Sequence, residues 1–476
     1  MRRNPKIVLA AVLLSTVSLP ITLTGASVAL SDIAADLNAD LTPVQWVVTG
    51  YNAAFGSFML AGGSLADILG RRRMYALGLA LFVVTGLISA VTNDIMVLDV
   101  VRAIAGIGAA AAAASGAALL AASFEGAART RAFGLFGTAI GVGLAFGPTI
   151  AGVLVDAFGW RAAFAAPALV ALAVLAMVPR LPESRDPAGR RVDVPETLSF
   201  TLFLLALIFA VVEGPRQGWT SLWIVGAFVA SAALLVCFVV VERCQENPMF
   251  DFGLLRSRHF VAFSAAAATI ICVMIPLLIY LPSYFTGVLG MTSGQAGATL
   301  ILLTSPALAL PLVGSFITRW IPPTAVVVTA VILVGVGAAW LTIIEPGIST
   351  IALAGPLLCI GVGMGVTTGM IDGVALASID TRRAGTAAGM LNTARIAGET
   401  IVIAIFGAVL ASTTGGRLAD PGYTRGLHLT LWGMSGLAAV TVLLVALLLR
   451  RRASAPRPRP TVGPAYAAVP PTPPIS

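Results

Sequence analysis

The sequence predicts an all-α polytopic membrane protein that crosses the bilayer about fourteen times, with both termini in the cytoplasm. Three observations carry this. Of 476 residues 58% are hydrophobic and 11% are charged, where a soluble domain carries about 25% charged residues. Apolar runs long enough to span a hydrocarbon core of roughly 30 Å at 1.5 Å per residue recur along the whole length. The basic residues concentrate in alternate connections between those runs.

The first run, residues 7–30, follows Arg2, Arg3 and Lys6 as a secretory signal would. At about 24 residues it exceeds the 7–15 of a signal core, so it reads as a retained first span. The others fall at 44–66, 74–92, 96–118, 132–155, 161–179, 196–213, 221–241, 259–281, 294–317, 324–342, 350–375, 386–410 and 427–449. In lipid a backbone must satisfy its own hydrogen bonds, so each is expected to be helical. With the N-terminus inside, 23 Arg and Lys residues fall on the cytoplasmic side. Four (Arg161, Arg216, Arg417, Arg425) fall outside, and Arg102 and Arg395 lie within spans. That bias fixes the orientation, and an even span count returns the C-terminus to the same side.

Composition excludes several classes. The net charge of +8 forms no stripe on a soluble surface, so nucleic acid is not an expected partner. The single lysine is Lys6, and no Walker A sequence is present. His259 and His428 stand alone, and Cys237, Cys244, Cys272 and Cys359 form no CxxC pair. No metal, cofactor or enzymatic site is therefore expected. What remains is a transporter driven by an ion gradient or by a partner.

Three motifs converge on one family. The connection after span 2 reads Gly63-Ser64-Leu65-Ala66-Asp67-Ile68-Leu69-Gly70-Arg71-Arg72-Arg73. Span 4 carries Arg102-Ala103-Ile104-Ala105-Gly106-Ile107-Gly108-Ala109-Ala110, and span 5 carries Gly143-Leu144-Ala145-Phe146-Gly147-Pro148-Thr149-Ile150-Ala151-Gly152. In this order and at these spans they resemble the gate, intramembrane-arginine and antiporter signatures of the major facilitator superfamily. Fourteen spans, with Trp46–Tyr51 and Glu213–Trp219, resemble its drug:proton antiporter group.

The resemblance implies two six-helix bundles (7–179 and 259–449) around a central cavity. Two extra central helices would occupy 180–258, flanked overall by a cytoplasmic tail at 1–6 and a disordered Pro/Arg-rich tail at 450–476. Ile68, Ala105 and Ala151 depart from the signatures, and Thr22 stands where relatives carry an acid in the first span.

Charges within the bilayer cost roughly 2.5–3.5 kcal/mol on insertion scales, which makes Asp99, Arg102, Glu213, Asp372, Arg395 and Glu399 candidates. Asp99 and Glu213 sit near outer span ends, where interfacial water would also account for them. Arg395 and Glu399 are four apart on one helix face, with Asn392 nearby. They read either as a neutralised packing pair or as a protonatable site facing the cavity. Asp372 is a second proton-site candidate, and Arg102 by resemblance assists proton movement. Gly63, Asp67, Gly70 and Arg71 form the expected inner gate. Gly143, Gly147, Pro148 and Gly152 would make span 5 a bending or sliding surface between bundles. Tyr51, Phe55, Tyr280, Tyr284 and Asn392 are candidates for the substrate wall.

The expected function is proton-coupled export of lipophilic drugs or antibiotics by a monomer in a bacterial cytoplasmic membrane. Metabolite symport and a non-transporting sensor or scaffold are the alternatives.

Overall fold

The computed structural model describes residues 5–184, 194–244, 252–368, 370–377, 379, 384–414 and 422–449. Both expected tails beyond these limits lie outside the described residues, as does the side chain of Asp67. The first six spans are α1 (Pro5–Asp36), α2 (Leu41–Leu69), α3 (Arg71–Val91), α4 (Ile95–Ser123), α5 (Gly126–Phe158) and α6 (Ala162–Met177). The central pair is α7 (Val194–Gln217) and α8 (Leu222–Cys244). There follow α9 (Arg258–Gly287), α10 (Ser293–Thr299), α11 (Ile301–Thr304), α12 (Pro306–Ile317) and α13 (Pro323–Trp340). The last are α14 (Thr350–Thr367), α15 (Met370–Ala377), α16 (Ala384–Thr414) and α17 (Gly422–Leu449).

Among the described residues 12 helices are long and apolar enough to cross a membrane. The other two expected positions are held by the 29-residue α2 and by the segment α10–α12. Span 10 keeps helical backbone angles at Leu300 and Ser305, where its hydrogen-bond ladder is irregular. Pro306 has no N–H for the preceding turn, and its ring crowds that turn. Span 12, expected as one helix, is corrected. Span 12 ends at Thr367 and restarts at Met370.

Helix ends follow local chemistry. The Asp94 carboxylate accepts from the N–H groups of Met96 (2.8 Å) and Val97 (3.0 Å) and caps α4. Gly70 adopts φ 105°, a conformation that disfavours any side chain, and so turns α2 into α3 within one residue. We call the end carrying Gly70 and Arg71–Arg73 the basic end, and the opposite end distal.

One bundle is built from α1–α6, with α2 and α3 against α4 and α1 against α5. The second packs α9 against α16 and α17, and α13 against α14 and α17. The bundles meet through α5 with α10, α2 with α16, and α1 with α9. The α7–α8 pair lies outside both, with α7 bridging α2 and α16. Phe200, Leu204, Ile208 and Val212 of α7 share one buried cluster with Ala53 of α2 and Ala404 of α16.

The α2–α4 contact is the tightest in the first bundle. A Cβ at Gly106 would overlap the Tyr51 carbonyl oxygen and lie 3.0 Å from Ala54 Cβ. Gly106→Leu is expected to lower the stability of the purified protein by about 1–3 kcal/mol through overpacking. Thermal unfolding in detergent, compared with Gly134→Leu, where nothing lies within 4 Å of a Cβ, measures it.

Candidate functional site

The seam between α2 and α16 holds the sharpest candidate. A Cβ at Gly56 would lie 2.8 Å from Ile396 Cγ2 and 3.1 Å from Thr400 Oγ1, so the helices cross here at backbone distance. Glu399 sits at this crossing, midway along α16, and its carboxyl lies beside the Asn52 side chain of α2. The Asn52 Nδ2 is buried with no partner of hydrogen-bond geometry. Cys272 of α9 borders the same point, with its sulfur 3.2 Å from a Cβ at Gly398. Toward the distal end, Gln45 Nε2 donates to the Gly407 carbonyl at 3.1 Å and closes the seam.

The structure changes the partner of Arg395. Its guanidinium forms a two-pronged ion pair with Asp372 of α15, one bond at 3.1 Å, and not with Glu399. The i,i+4 spacing puts Arg395 and Glu399 near one another, but the bidentate match to a carboxylate across the helix gap is geometrically superior. Glu399 is thereby left without a salt-bridge partner among the described residues. The Asp372 side chain is 39% exposed, so the pair sits at an open flank. Asn392 is likewise exposed on the basic half of α16.

Arg102 is 1% exposed. Its Nε donates to the Val47 carbonyl (2.9 Å), and its guanidinium lies 4.2 Å over the Tyr51 ring and 5.2 Å over Phe164. Desolvated contacts of this kind are worth about 2 kcal/mol each and offset part of the burial cost. Nη2 remains without a hydrogen-bond partner. Thr22 is buried, and its hydroxyl donates to the Ser18 carbonyl at 3.2 Å, so the first span supplies no charge here.

The aromatic wall divides. Tyr51 and Phe55 stack on α2 with ring centroids 6.2 Å apart, but Tyr51 is buried beneath the Arg102 guanidinium, and only Phe55 is half-buried. Tyr280 and Tyr284 are not on an open wall. Tyr280 stacks on Phe406 at 4.6 Å and donates to the Ile403 carbonyl at 2.9 Å. Tyr284 is fully buried and shares a hydrogen bond with Thr424 at 3.0 Å. A phenol in an apolar helix interface must find an acceptor there, which turns both rings inward.

The span 5 motif also divides. Gly143 and Gly147 face α1, where a Cβ at Gly143 would lie 2.8 Å from the Val17 carbonyl and one at Gly147 would overlap Thr24. Pro148 and Gly152 meet the second bundle: a Cβ at Gly297 would overlap the Pro148 carbonyl, and one at Gly152 the Ser293 carbonyl. Between and before them, Thr149 Oγ1 donates to the Gly297 carbonyl (3.0 Å), and the Ala145 carbonyl accepts from Thr304 Oγ1 (2.8 Å). The helix α5 runs through Pro148 without interruption.

Distal to that contact lies a latch that the sequence reading missed. Asp156 Oδ2 accepts from Thr292 Oγ1 (2.9 Å) and from the Gly294 N–H (2.9 Å). Asp32 accepts from Ser293 Oγ (3.0 Å), and Ser31 bonds Thr286 at 2.7 Å. Two signals were available: Asp156 lies four residues beyond Gly152 on one face, and Thr292–Gln295 is a capping box. On the basic half of α5 nothing lies within 4 Å of a Cβ at Gly134, Gly137 or Gly141. Among the described residues, α5 is joined to the second bundle on its distal half and is open at these three glycines of its basic half.

The gate motif contacts its own bundle's exit. The Arg71 N–H donates to the Ser184 carbonyl (2.9 Å), and Arg72 pairs with Glu183 at 3.4 Å. Gly63 is loosely packed, with Ala114 Cβ 4.0 Å from a Cβ placed there.

Two helical bundles joined at their distal halves, with a carboxyl at their crossing, define a membrane transporter architecture. The model of the Major Facilitator Superfamily matches residues 12–403, and the chain belongs to that family of transporters. It is therefore a multi-pass cell membrane protein. It is 33% identical over 390 residues to the multidrug resistance protein Stp of Mycobacterium tuberculosis, covering 81% of this chain and 72% of that one. It is 31% identical to the probable actinorhodin transporter of Streptomyces coelicolor, with 84% and 72% covered. It is also 31% identical to the puromycin resistance protein pur8 of Streptomyces alboniger, with 83% and 80% covered. Among solved structures, the POT family transporter PepTSo superposes with a TM-score of 0.67 at 15% identity, over 94% of this chain and 98% of the other. That likeness concerns the fold.

Removing the latch shifts the population toward a distally open form. Spin labels at Val91→Cys and Glu345→Cys, both exposed at the distal end, are expected to gain a longer distance component in Asp156→Ala. Asp156→Asn keeps an acceptor oxygen and is expected to retain the wild-type distribution. Identical distributions in all three proteins would remove the latch.

Proposed function

We propose that this protein exports lipophilic small molecules, drugs or antibiotics, across the cytoplasmic membrane in exchange for protons by alternating access. The observation that carries the reading is Glu399: a carboxyl at the crossing of the two bundles, beside the Asn52 amide and without a salt-bridge partner among the described residues. The names of the relatives, which speak of multidrug, actinorhodin and puromycin handling, support the substrate class. The basic end is read as cytoplasmic, fourteen segments as crossing, and the transporter as a monomer without cofactor. Drug would then enter at the basic end from the cytoplasm.

The coupling is physical. A carboxylate at a helix crossing disfavours close approach of the bundles, whereas its neutral form permits it. A lipophilic substrate entering the seam removes water and so competes with the ionised form. Drug and proton occupancy thereby oppose one another, which is the requirement for exchange.

Two measurements test this. Expression in a cell lacking other pumps is expected to raise tolerance to ethidium or puromycin. In proteoliposomes, an imposed proton gradient is expected to accelerate ethidium transport, and Glu399→Gln to reduce the ratio of gradient-driven to gradient-free flux by about tenfold. An unchanged ratio in Glu399→Gln would refute the assignment of coupling to this residue.

A further inference from the structure

A second cluster of ionisable groups is buried near the distal end, on the flank where the α7–α8 pair attaches. Glu213, close to the end of α7, is 5% exposed. Its Oε1 accepts from Trp46 Nε1 of α2 at 2.8 Å, its Oε2 accepts from Gln217 at 3.0 Å, and the exposed Arg216 stands 3.6 Å away. Around the same corner α4 presents Asp99, whose Oδ1 is buried without a hydrogen-bond partner. No described cation forms an ion pair with it. The charged groups in electrostatic reach of Asp99 are Glu213 from α7, and Arg102 and Asp94 from α4. From α2 the corner receives the Trp46 indole and the backbone at Gly50, where a Cβ would stand 3.9 Å from the Asp99 carbonyl. The orphaned Nη2 of Arg102 completes it.

The charges do not balance with both carboxyls ionised. Arg102, fully buried, offsets one negative charge. Arg216 is 63% exposed, and water screens most of its attraction. A second ionised carboxylate with no hydrogen bond at Oδ1 would be a costly buried charge. One proton bound within the cluster removes that cost. The cluster also lies away from the α5–α10 latch, and Glu213 reaches the distal surface through Arg216 and Gln217, so a proton need not pass through the central opening.

We propose that Asp99 and Glu213 form a proton-binding site separate from Glu399, with one of its two carboxyls supplied by the attached helix pair and positioned by Trp46. Its part in coupling rests on the antiport reading, but the site can be tested without transport. The attached pair then contributes a carboxyl to the site besides its packing surface. Protons arriving from the distal side meet this site before the crossing at Glu399.

The full-length protein in lipid can be titrated by infrared difference spectroscopy. A protonated-carboxyl band is expected that persists in Glu399→Gln, is lost in Asp99→Asn, and shifts in Glu213→Gln. Trp46→Phe leaves both carboxyls in place and is also expected to shift it, which guards against a misfolded acid variant. Absence of any such band in Glu399→Gln, or its survival unchanged in Asp99→Asn, overturns the site. In proteoliposomes, the ratio of gradient-driven to gradient-free ethidium flux is expected to fall about tenfold in Asp99→Asn. An unchanged ratio overturns its role in coupling. If the wild type shows no response to the gradient, the antiport reading fails, and the infrared titration still decides the site.

Discussion

The close approach of helix backbones through small residues is the contact on which the other features depend. Lipid tails are as apolar as leucine, so no hydrophobic force drives helices together within the bilayer. What remains is van der Waals contact and the hydrogen bonds that short distances allow. At Gly106 the backbone of α4 touches that of α2, and at Gly78 a Cβ would sit 2.6 Å from the Ala112 nitrogen. Because α2 and α4 lie so near, the Val47 carbonyl is within reach of Arg102 and the Tyr51 ring lies beneath it. A guanidinium is buried at 1% exposure only because the packing delivers partners.

The same kind of contact behaves differently between the bundles. Within the first bundle it is continuous and reinforced by long buried faces. At α5–α10 it is confined to the stretch from Pro148 to Gly152, then continued by a few hydrogen bonds to Asp156 and Asp32. Each such bond contributes about 0.5–1.5 kcal/mol, somewhat more where a carboxylate accepts. A boundary held by so few terms can exchange with an alternative one at modest cost, which alternating access requires. The tight intrabundle glycines and the sparse interbundle ones therefore have separate roles, although both lie in one motif.

Buried charge is arranged on the same logic. Arg395 and Asp372 neutralise one another on an open flank, and Arg102 is held by a carbonyl and two rings. Among the described residues neither Asp99 nor Glu399 forms an ion pair. Both lie against α2, at Gly50 and Asn52, the helix that touches α4, α7 and α16 in turn. A short stretch of α2 thus connects the arginine, the attached helix pair and the crossing of the bundles.

The sequence by itself determined the helices, the family and the list of charges within spans. These follow from apolar run length, from loop charge and from local motifs, all of which are short-range. It did not determine that span 12 stops at Thr367, since the run of apolar residues continues past it. Nor did it settle which way Gly143 and Gly147 face, because a glycine carries no side chain to mark a direction. Tyr280 and Tyr284 read as a wall until their hydroxyls were seen to bond Ile403 and Thr424. Only the tertiary structure decided the partner of Arg395. Spacing along one helix offered Glu399, and a carboxylate on another helix matched the planar guanidinium better. That choice, made between residues 23 apart in the chain, leaves Glu399 as the carboxyl at the crossing.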